Sequence, residues 1–322
     1  METVKRIIIM MALMVLSCSV GWAQQEKVIY NIHKDYNPMY VENGLYKEFY
    51  ETGEIKRLIT FENELPNGPF NVYYLDGTLQ GEGLYVNGVL QLKARTYHPN
   101  GKPESELSFK DGAMDGSVKY YAEDGTLIRE SEYKEGLLHG LTKEYRPDGK
   151  LQYERTYEKG AEWGEAKEYD LEGNLLRSSE FKNGAQDGVI RIHDERGRVI
   201  KAFEAYDGIP TGVVKEYYST GQLRSEGMLK KDGNLADGKL KEYYKSGVLM
   251  QEVQIKDGVR HGFSQEYYPT GNTKSKGNYV SGKKEGVFQY FKNNGYIERE
   301  EVYKNDESVS IKKYDEYGKP IE

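Results

Sequence analysis

Glycine recurs at a fixed interval along this chain of 322 residues. One glycine column has members 24 residues apart, and the same spacing resumes after a two-residue insertion. Its members are Gly53, Gly77, Gly101, Gly125, Gly149, Gly173, Gly197, Gly221, Gly247, Gly271 and Gly295, with Gly318 after a shortened last step. A fixed period in this range is typical of an array of small supersecondary units. The chain is therefore predicted to be a repeat protein, a class that usually binds or scaffolds.

Two further glycine columns divide each repeat into short runs. One column lies nine residues before the first, as at Gly68 and Gly140, and the other lies eleven residues after it, as at Gly184. Runs of this length are too short for stable helices and suit β-strands. Pairs such as Asp76-Gly77 and Asn183-Gly184 fall at the junctions and predict tight hairpin turns, which require positive φ.

The side chains of the first run alternate in chemistry. An aromatic column lies five residues after the glycine that opens the run, and a basic column lies two residues before the aromatic one. The aromatic column is Phe49, Tyr73, Tyr97, Tyr121, Tyr145, Tyr169, Tyr217, Tyr243, Tyr267, Phe291 and Tyr314; the basic one is Lys47, Arg95, Lys119, Lys143, Lys167, Arg191, Lys215, Lys241 and Lys312. Glutamate stands between them in five repeats. This period of two predicts a strand with different chemistry on each face.

The predicted fold class is all-β: an elongated, twisted single-layer antiparallel meander of about 11 to 12 repeated β-hairpins. Aromatic ladders between neighbouring repeats are expected to supply most of the cohesion. A single-layer sheet cannot cover both faces, so one ring of each adjacent tyrosine pair should remain partly exposed to protein or glycan. The candidate interaction surface is Tyr73, Tyr74, Tyr217, Tyr218, Tyr243, Tyr244, Tyr267 and Tyr268.

The repeat resembles a known family. Its pattern is G-x-x-K-E-Y-Y-x-x-G-x-L-x-x-E-x-x-Y-x-x-G-x-x-x-G, and residues 212–223 and 262–271 match it closely. This pattern resembles the MORN-repeat variant of bacterial proteins over about residues 44 to 318. It also looks like the repeat of the YwqK-type family, often labelled as antitoxin components. The resemblance implies repeated β-hairpins and a role in protein or surface interaction, and it implies no catalytic residues.

The first 23 residues have the composition of a secretory signal peptide. Lys5 and Arg6 precede an apolar run over residues 7–16, and small residues follow up to Ala23. The apolar run is short for a transmembrane helix, so cleavage after Ala23 is expected. Cys18 leaves a second reading open, because residues 15–18 resemble a bacterial lipoprotein cleavage site with a lipidated cysteine. Either reading predicts an exported bacterial protein that is periplasmic, outer-membrane-associated or secreted.

The sequence predicts one repeat domain between two short end segments. The predicted segments are a signal peptide at 1–23, an N-terminal cap or tail at 24–43, hairpin repeats at 44–309 and a C-terminal half-repeat cap at 310–322. Residues 228–238 contain the two-residue insertion and should form a longer loop or bulge.

Charge and motif content argue against several function classes. The formal net charge of −7 disfavours nucleic acid and anionic lipid as partners, although lipidation at Cys18 would still attach the chain to a membrane. His139 and His261 both precede a repeat glycine and are expected to belong to the turn pattern, whereas His98 and His193 are expected to be substituted ladder residues. No phosphate-binding loop, nucleophile elbow or zinc-protease motif is present. We therefore expect no enzyme activity and no catalytic, cofactor or metal residue.

The leading functional prediction is an exported, non-catalytic repeat protein that acts as a protein-interaction module or scaffold through an extended sheet surface. Its protein partner is not identified by the sequence. Two alternatives remain open. One is binding of glycan or cell wall through the tyrosine ladders, and the other is antitoxin-like or immunity-like neutralisation of a partner protein.

Overall fold

The structure is a computed structural model that describes residues 42–230, 234 and 236–321. It divides into two compact units, Met1–Ala166 with Lys182–Gly184 and Lys167–Phe181 with Ala185–Glu322. The described residues of each unit form strands and turns, without a helix. The predicted all-β meander of antiparallel hairpins is confirmed. The predicted signal peptide, Cys18 and nearly all of the predicted N-terminal cap lie outside the described residues.

Within each unit the strands pair antiparallel with strands close to them in the chain. Up to residue 169 they are β1 (Gly44–Phe49), β2 (Ile55–Glu62), β3 (Leu65–Tyr73), β4 (Leu79–Val86), β5 (Val89–Tyr97), β6 (Pro103–Lys110), β7 (Ala113–Met114), β8 (Gly116–Tyr121), β9 (Leu127–Lys134), β10 (Leu137–Tyr145), β11 (Leu151–Glu158) and β12 (Ala161–Tyr169).

Strands follow one another in the same way through the rest of the described residues. The strands are β13 (Leu175–Lys182), β14 (Ala185–Gln186), β15 (Gly188–His193), β16 (Val199–Tyr206), β17 (Ile209–Tyr217), β18 (Leu223–Met228), β19 (Gly238–Tyr243), β20 (Leu249–Lys256), β21 (Val259–Tyr267), β22 (Thr273–Val280), β23 (Lys283–Phe291), β24 (Ile297–Lys304), β25 (Glu307–Tyr314) and β26 (Pro320–Ile321). β18 ends at Met228 and β19 begins at Gly238, so the insertion forms the predicted longer connection. β25 begins at Glu307, so the predicted boundary at residue 310 falls inside a strand.

Two kinds of hairpin turn alternate along the chain. Asn183 and Gly184 both have positive φ, 50° and 84°, which is the signature of a two-residue type I′ turn. In Asp76-Gly77 only the glycine has positive φ. There the Gly77 N–H donates to the Tyr74 carbonyl at 3.0 Å, as in a type I turn closed by a G1 bulge. The sequence pattern predicted tight hairpin turns at both dipeptides, and the structure shows that these turns are of two different types.

The glycine column that includes Gly68 and Gly140 produces a bulge inside the first strand of the repeat. Leu138 pairs with Tyr133 and Thr142 pairs with Ser131, so a step of four residues on β10 faces a step of two on β9. Gly140 lies in this step with a φ of 92°. A bulge leaves its extra residues out of the ladder and increases the local twist. The bulge therefore resets the register once in each repeat.

The two faces of the sheet differ in burial as well as chemistry. We call one the packed face, because its side chains include the buried ones: Ile59, Leu107, Val118, Thr142, Val253 and Phe288. In the first unit its apolar core is Tyr85, Leu90, Ala94, Leu107, Phe109, Met114, Val118, Tyr133 and Leu138. We call the other the open face; it has the basic and aromatic columns of the first strand. The glutamate column lies on the packed face, where Glu48 pairs with Arg57. The predicted division of chemistry between the faces is confirmed.

Aromatic rings pack across neighbouring strands of the packed face. In the first unit the ring centroids of Phe70 and Tyr85 are 4.9 Å apart. In the second unit Phe288 lies edge-on between Tyr279 at 5.4 Å and Tyr303 at 5.2 Å. Such arrangements stabilise a sheet by about 0.5–1.5 kcal/mol per pair beyond the area they bury. The rings need room, and small residues on the paired strands supply it.

Gly83 is predicted to be required for the stability of the fold, because the Phe70 ring occupies the space that a side chain at this position would fill. A Cβ at Gly83 would lie 2.6 Å from the Phe70 ring and 3.1 Å from the Ala94 Cβ. Gly83→Ala should therefore lower the free energy of unfolding by about 1–3 kcal/mol, measured by urea denaturation. Gly81→Ala is the matched control on the same strand, because its Cβ would make ordinary contacts with the Arg95 carbonyl at 3.4 Å and the Thr96 Cγ2 at 3.9 Å. Equal stability of the two variants would contradict this packing.

Candidate functional site

The first tyrosine of each candidate pair lies on the open face. Each of the eight candidate tyrosines is half-buried. The Tyr243 hydroxyl donates a hydrogen bond to Glu226 Oε1 at 2.8 Å, and Tyr97 makes the equivalent bond to Glu82 at 2.6 Å. Partial burial, followed by the hydrogen bond to Glu226, raises the pKa of Tyr243 to about 12. The phenol therefore stays protonated, and it supports the carboxylate of the neighbouring strand.

The second tyrosine of each pair connects its repeat to the next one. Its hydroxyl donates to the backbone carbonyl of a residue in the following repeat, at 2.7 to 2.8 Å. We call these side chains the linking residues; they are Tyr50, Tyr74, His98, Tyr218, Tyr244 and Tyr268. His98 occupies this position with Nε2 2.9 Å from the Tyr121 carbonyl, so it is a substituted ladder residue as predicted. Four of the eight candidate tyrosines thus have hydroxyls that donate to backbone carbonyls of the next repeat.

The basic column of the open face is paired with glutamates across the strands. Arg95 lies 3.3 Å from Glu106 and 3.9 Å from Glu82. Lys119–Glu130 and Lys241–Glu226 repeat the arrangement at 3.1 and 3.2 Å. Partly exposed pairs of this kind contribute about 0–1 kcal/mol each. Their main effect is to offset the positive charge at these members of the column, which reduces the attraction of the open face for nucleic acid or anionic lipid.

An exposed apolar column also lies on the open face, and the sequence analysis did not identify it. It directly follows the glycine of the strand bulge and comprises Leu45, Leu141, Val213, Phe263 and Val287. Phe263 is 41% exposed and Val287 is 53% exposed, one repeat apart. Neighbouring repeats are separated by two strand spacings, about 10 Å. An apolar residue after the first glycine of the pattern was the available signal, and its recurrence points to a contact surface.

Histidine contributes to turns and ladders here. His261 Nδ1 lies 3.3 Å from the Ser281 backbone nitrogen and accepts its N–H, which caps the type I′ turn of the adjacent hairpin. Asp237 does the same for Asp257 at 2.9 Å. The predicted turn role of His261 is confirmed, and His139 occupies the same repeat position. In the part of the chain that the structure describes, no cluster of three or more histidine, cysteine or acidic side chains could hold a metal ion.

Two clefts of similar size lie on the second unit. The acidic cleft encloses about 350 Å³ and is lined by Asp170, Leu175, Leu176, His193, Asp194, Glu195, Arg196 and Arg198. The tyrosine cleft encloses about 370 Å³ and is lined by Tyr217, Tyr218, Ser219, Arg224, Glu242 and Met250. The tyrosine cleft contains two of the candidate tyrosines, Tyr217 and Tyr218. Within the described ranges no helix has the length and apolarity of a membrane span.

The sequence profile of the MORN repeat variant matches nine segments of the chain: residues 42–63, 66–87, 90–111, 114–135, 138–159, 164–183, 210–231, 236–257 and 260–281. Together they cover more than half of the chain. The chain belongs to the MORN repeat variant family. The hairpins β15–β16 and β23–β24 fall outside these segments yet have the same pairing pattern as the others. The finer resemblance to the YwqK-type family stays a prediction.

Comparison with other proteins adds little to the family assignment. The chain is similar, at 15% identity and a TM-score of 0.19, to a chain in "Crystal Structure of TcdB2-TccC3". The similarity to "Structure of Photorhabdus luminescens Tc holotoxin pore, Mutation TccC3-D651A" has 14% identity and a TM-score of 0.20. Each match covers 86% of this chain and 18% of the other, so this chain spans about a fifth of those proteins. TM-scores this low support no functional conclusion. No curated protein matches.

The linking residues Tyr244 and Tyr268 are predicted to stabilise the second unit through their hydroxyls. Tyr244→Phe and Tyr268→Phe each leave a backbone carbonyl without its donor and should each lower the free energy of unfolding by about 1 kcal/mol in urea denaturation. Tyr206→Phe is the matched control, because Tyr206 is 68% exposed and is not a linking residue. A loss from Tyr206→Phe as large as that from Tyr244→Phe would contradict the assignment.

The carboxyl of Asp194 is predicted to titrate at unusually low pH. Hydrogen bonds from the Arg198 side chain, and then from its backbone, lower the pKa of Asp194 to about 2. A depressed folded-state pKa contributes stability above the unfolded pKa, and the contribution is lost as pH falls from about 4 through about 2. NMR titration should give this low value and a higher one in Arg198→Gln. An unchanged pKa in that variant would contradict the stated cause.

Proposed function

We propose that this chain is a non-catalytic interaction module that binds a protein partner through the open face of its sheet. The observation on which this rests is the exposed apolar column of the open face. Membership of the MORN repeat variant family is consistent with a protein-binding or surface-binding role. The second unit offers the clearest part of this surface, at Phe263 and Val287.

The chemistry around the column supports binding to a protein. On the same strand face, the residues next to Phe263 and Val287 are the uncharged amides Gln265 and Gln289, which bond to Thr273 and Glu300, so a partner need not supply large compensating charge. Contact surfaces between proteins typically combine an apolar centre with a polar rim. The half-buried tyrosines Tyr243 and Tyr267 lie farther along the same strand face, and tyrosine is enriched at such surfaces.

The linking residues bear on the glycan alternative. Binding of a sugar by stacking needs rings, and hydroxyls free to bond the sugar add to it. In Tyr74, Tyr218, Tyr244 and Tyr268 the hydroxyls donate to backbone carbonyls of the next repeat. These four tyrosines therefore favour a protein partner over glycan. Neutralisation of a toxin-like partner would use the same surface. Export of the chain is part of the proposal and rests on residues 1–23.

The apolar column is predicted to determine capture of the partner. The tagged full-length chain would be crosslinked in its native cells, purified and examined by mass spectrometry. Replacing Phe263 and Val287 by serine removes the two exposed apolar side chains and should deplete the main captured protein at least tenfold, a loss of about 1.4 kcal/mol or more. Retention on peptidoglycan would be measured in parallel.

The matched control replaces two similarly exposed side chains at the turn ends of neighbouring strands. Val259 is 44% exposed and Val280 is 47% exposed. The Val259→Ser, Val280→Ser double variant should capture the partner as the unaltered chain does. Equal depletion by both double variants, or retention on peptidoglycan with no specific protein partner, would reject the proposal.

A further inference from the structure

We propose that the tyrosine cleft recognises a carboxylate attached to an apolar side chain, as at the C-terminus of a peptide. This inference rests on the proposed function in that it names a chemical feature of the partner. The cleft is formed by Tyr217, Tyr218, Ser219, Arg224, Glu242 and Met250 of the second unit and has a volume of about 370 Å³. That volume accommodates one amino-acid residue with a large side chain.

Arg224 supplies the anion-binding group. Its side chain is exposed on β18, and no hydrogen bond or ion pair among the described residues engages its guanidinium. Arg95, which also lies on a strand, contacts two glutamates. A guanidinium presents a planar set of N–H donors that matches a carboxylate in bidentate geometry. An uncommitted arginine in a cleft is therefore suited to an external carboxylate.

Three side chains supply the apolar walls. Tyr217, Tyr218 and Met250 line the cleft together with Arg224. The Tyr218 hydroxyl donates to the Tyr243 carbonyl at 2.7 Å, so this ring is held in place before any ligand arrives. A preformed wall reduces the entropy lost on binding. Met adapts to irregular apolar groups, and tyrosine rings stack on aromatic ones.

Two further charged groups affect which ligand the tyrosine cleft prefers. Glu242 also lines the cleft and would repel an anion, but its carboxylate already accepts a hydrogen bond from the Gln251 amide. Its remaining acceptor capacity suits an N–H donor, which a peptide provides on the same C-terminal residue that carries the carboxylate. The Lys245 ammonium lies 5.8 Å from the centroid of the Tyr218 ring and adds positive charge at this end of the cleft.

The acidic cleft shows what the same fold does with different side chains. It has nearly the same volume, but three carboxylates line it: Asp170, Asp194 and Glu195. One of its two arginines, Arg198, is held by Asp194 at 2.6 Å. A carboxylate ligand would be repelled there. Its other arginine, Arg196, is exposed like Arg224 and therefore offers a matched control.

The test uses N-acetyl-L-phenylalanine as the probe and its primary amide as the neutral control. Binding to the full-length chain would be followed by NMR titration. The acid should bind with a dissociation constant of about 1 mM, the strength that a ligand of this size can reach. The amide should bind at least tenfold more weakly. Arg224→Gln should abolish the difference between acid and amide, whereas Arg196→Gln should leave it unchanged.

Three results would overturn the proposal. They are no binding of the acid at concentrations well above the expected constant, equal binding of acid and amide, and unaltered binding by Arg224→Gln with the fold intact by circular dichroism. Binding of N-acetylglucosamine in place of the acid would assign the cleft to sugars and overturn it as well. Failure here with intact Phe263-dependent capture rejects only the cleft proposal. If the probe binds as expected but capture of a partner does not depend on Phe263 and Val287, only the proposed open-face function is rejected.

Discussion

Strand register is the constraint on which the structure depends. A slip of one residue in a β-sheet transfers every side chain of the strand to the other face. Here most repeats fix their register at three glycine positions: a type I′ turn, a G1 turn and a bulge inside the first strand. The linking residues then stabilise this register, because the Tyr244 hydroxyl reaches the Tyr267 carbonyl only if neighbouring repeats are aligned. The chemistry of both faces follows from this alignment.

Much of this arrangement could be predicted from the sequence, because period and glycine spacing are local signals. The strands, the hairpins and the division of lysine and glutamate between faces follow from a period of two. The role of the second tyrosine could not be predicted in this way. Periodicity says which face a residue occupies, but it does not say that the hydroxyl of Tyr74 ends beside a carbonyl 23 residues farther along. His261 was placed correctly because its position recurs.

Other features escaped prediction because they depend on the exposure of one side chain in the assembled sheet. Leu92 occupies a bulge position where most repeats have glycine, and it keeps a positive φ of 61°. A side chain there is strained, yet the register of its neighbours holds the conformation. Likewise, the apolar column becomes a surface only because strands beside it leave it uncovered. Hydrophobicity alone marks Phe263 and Leu107 alike, although one is exposed and the other buried.

A periodic sheet acquires a singular site where the repeat pattern changes. At the linking position Tyr218 bonds to the next repeat, whereas Asp194 closes its own turn through Arg198. Tyr218 lines the tyrosine cleft together with Arg224, whereas Asp194 lines the acidic cleft together with Arg198 and two further carboxylates. The two clefts have similar volumes and differ in charge, and one of the differences is the exchange of tyrosine for aspartate at the linking position. Selectivity in this fold can arise in this way without any change in the strands, since the glycines fix the backbone and leave the linking position free to vary.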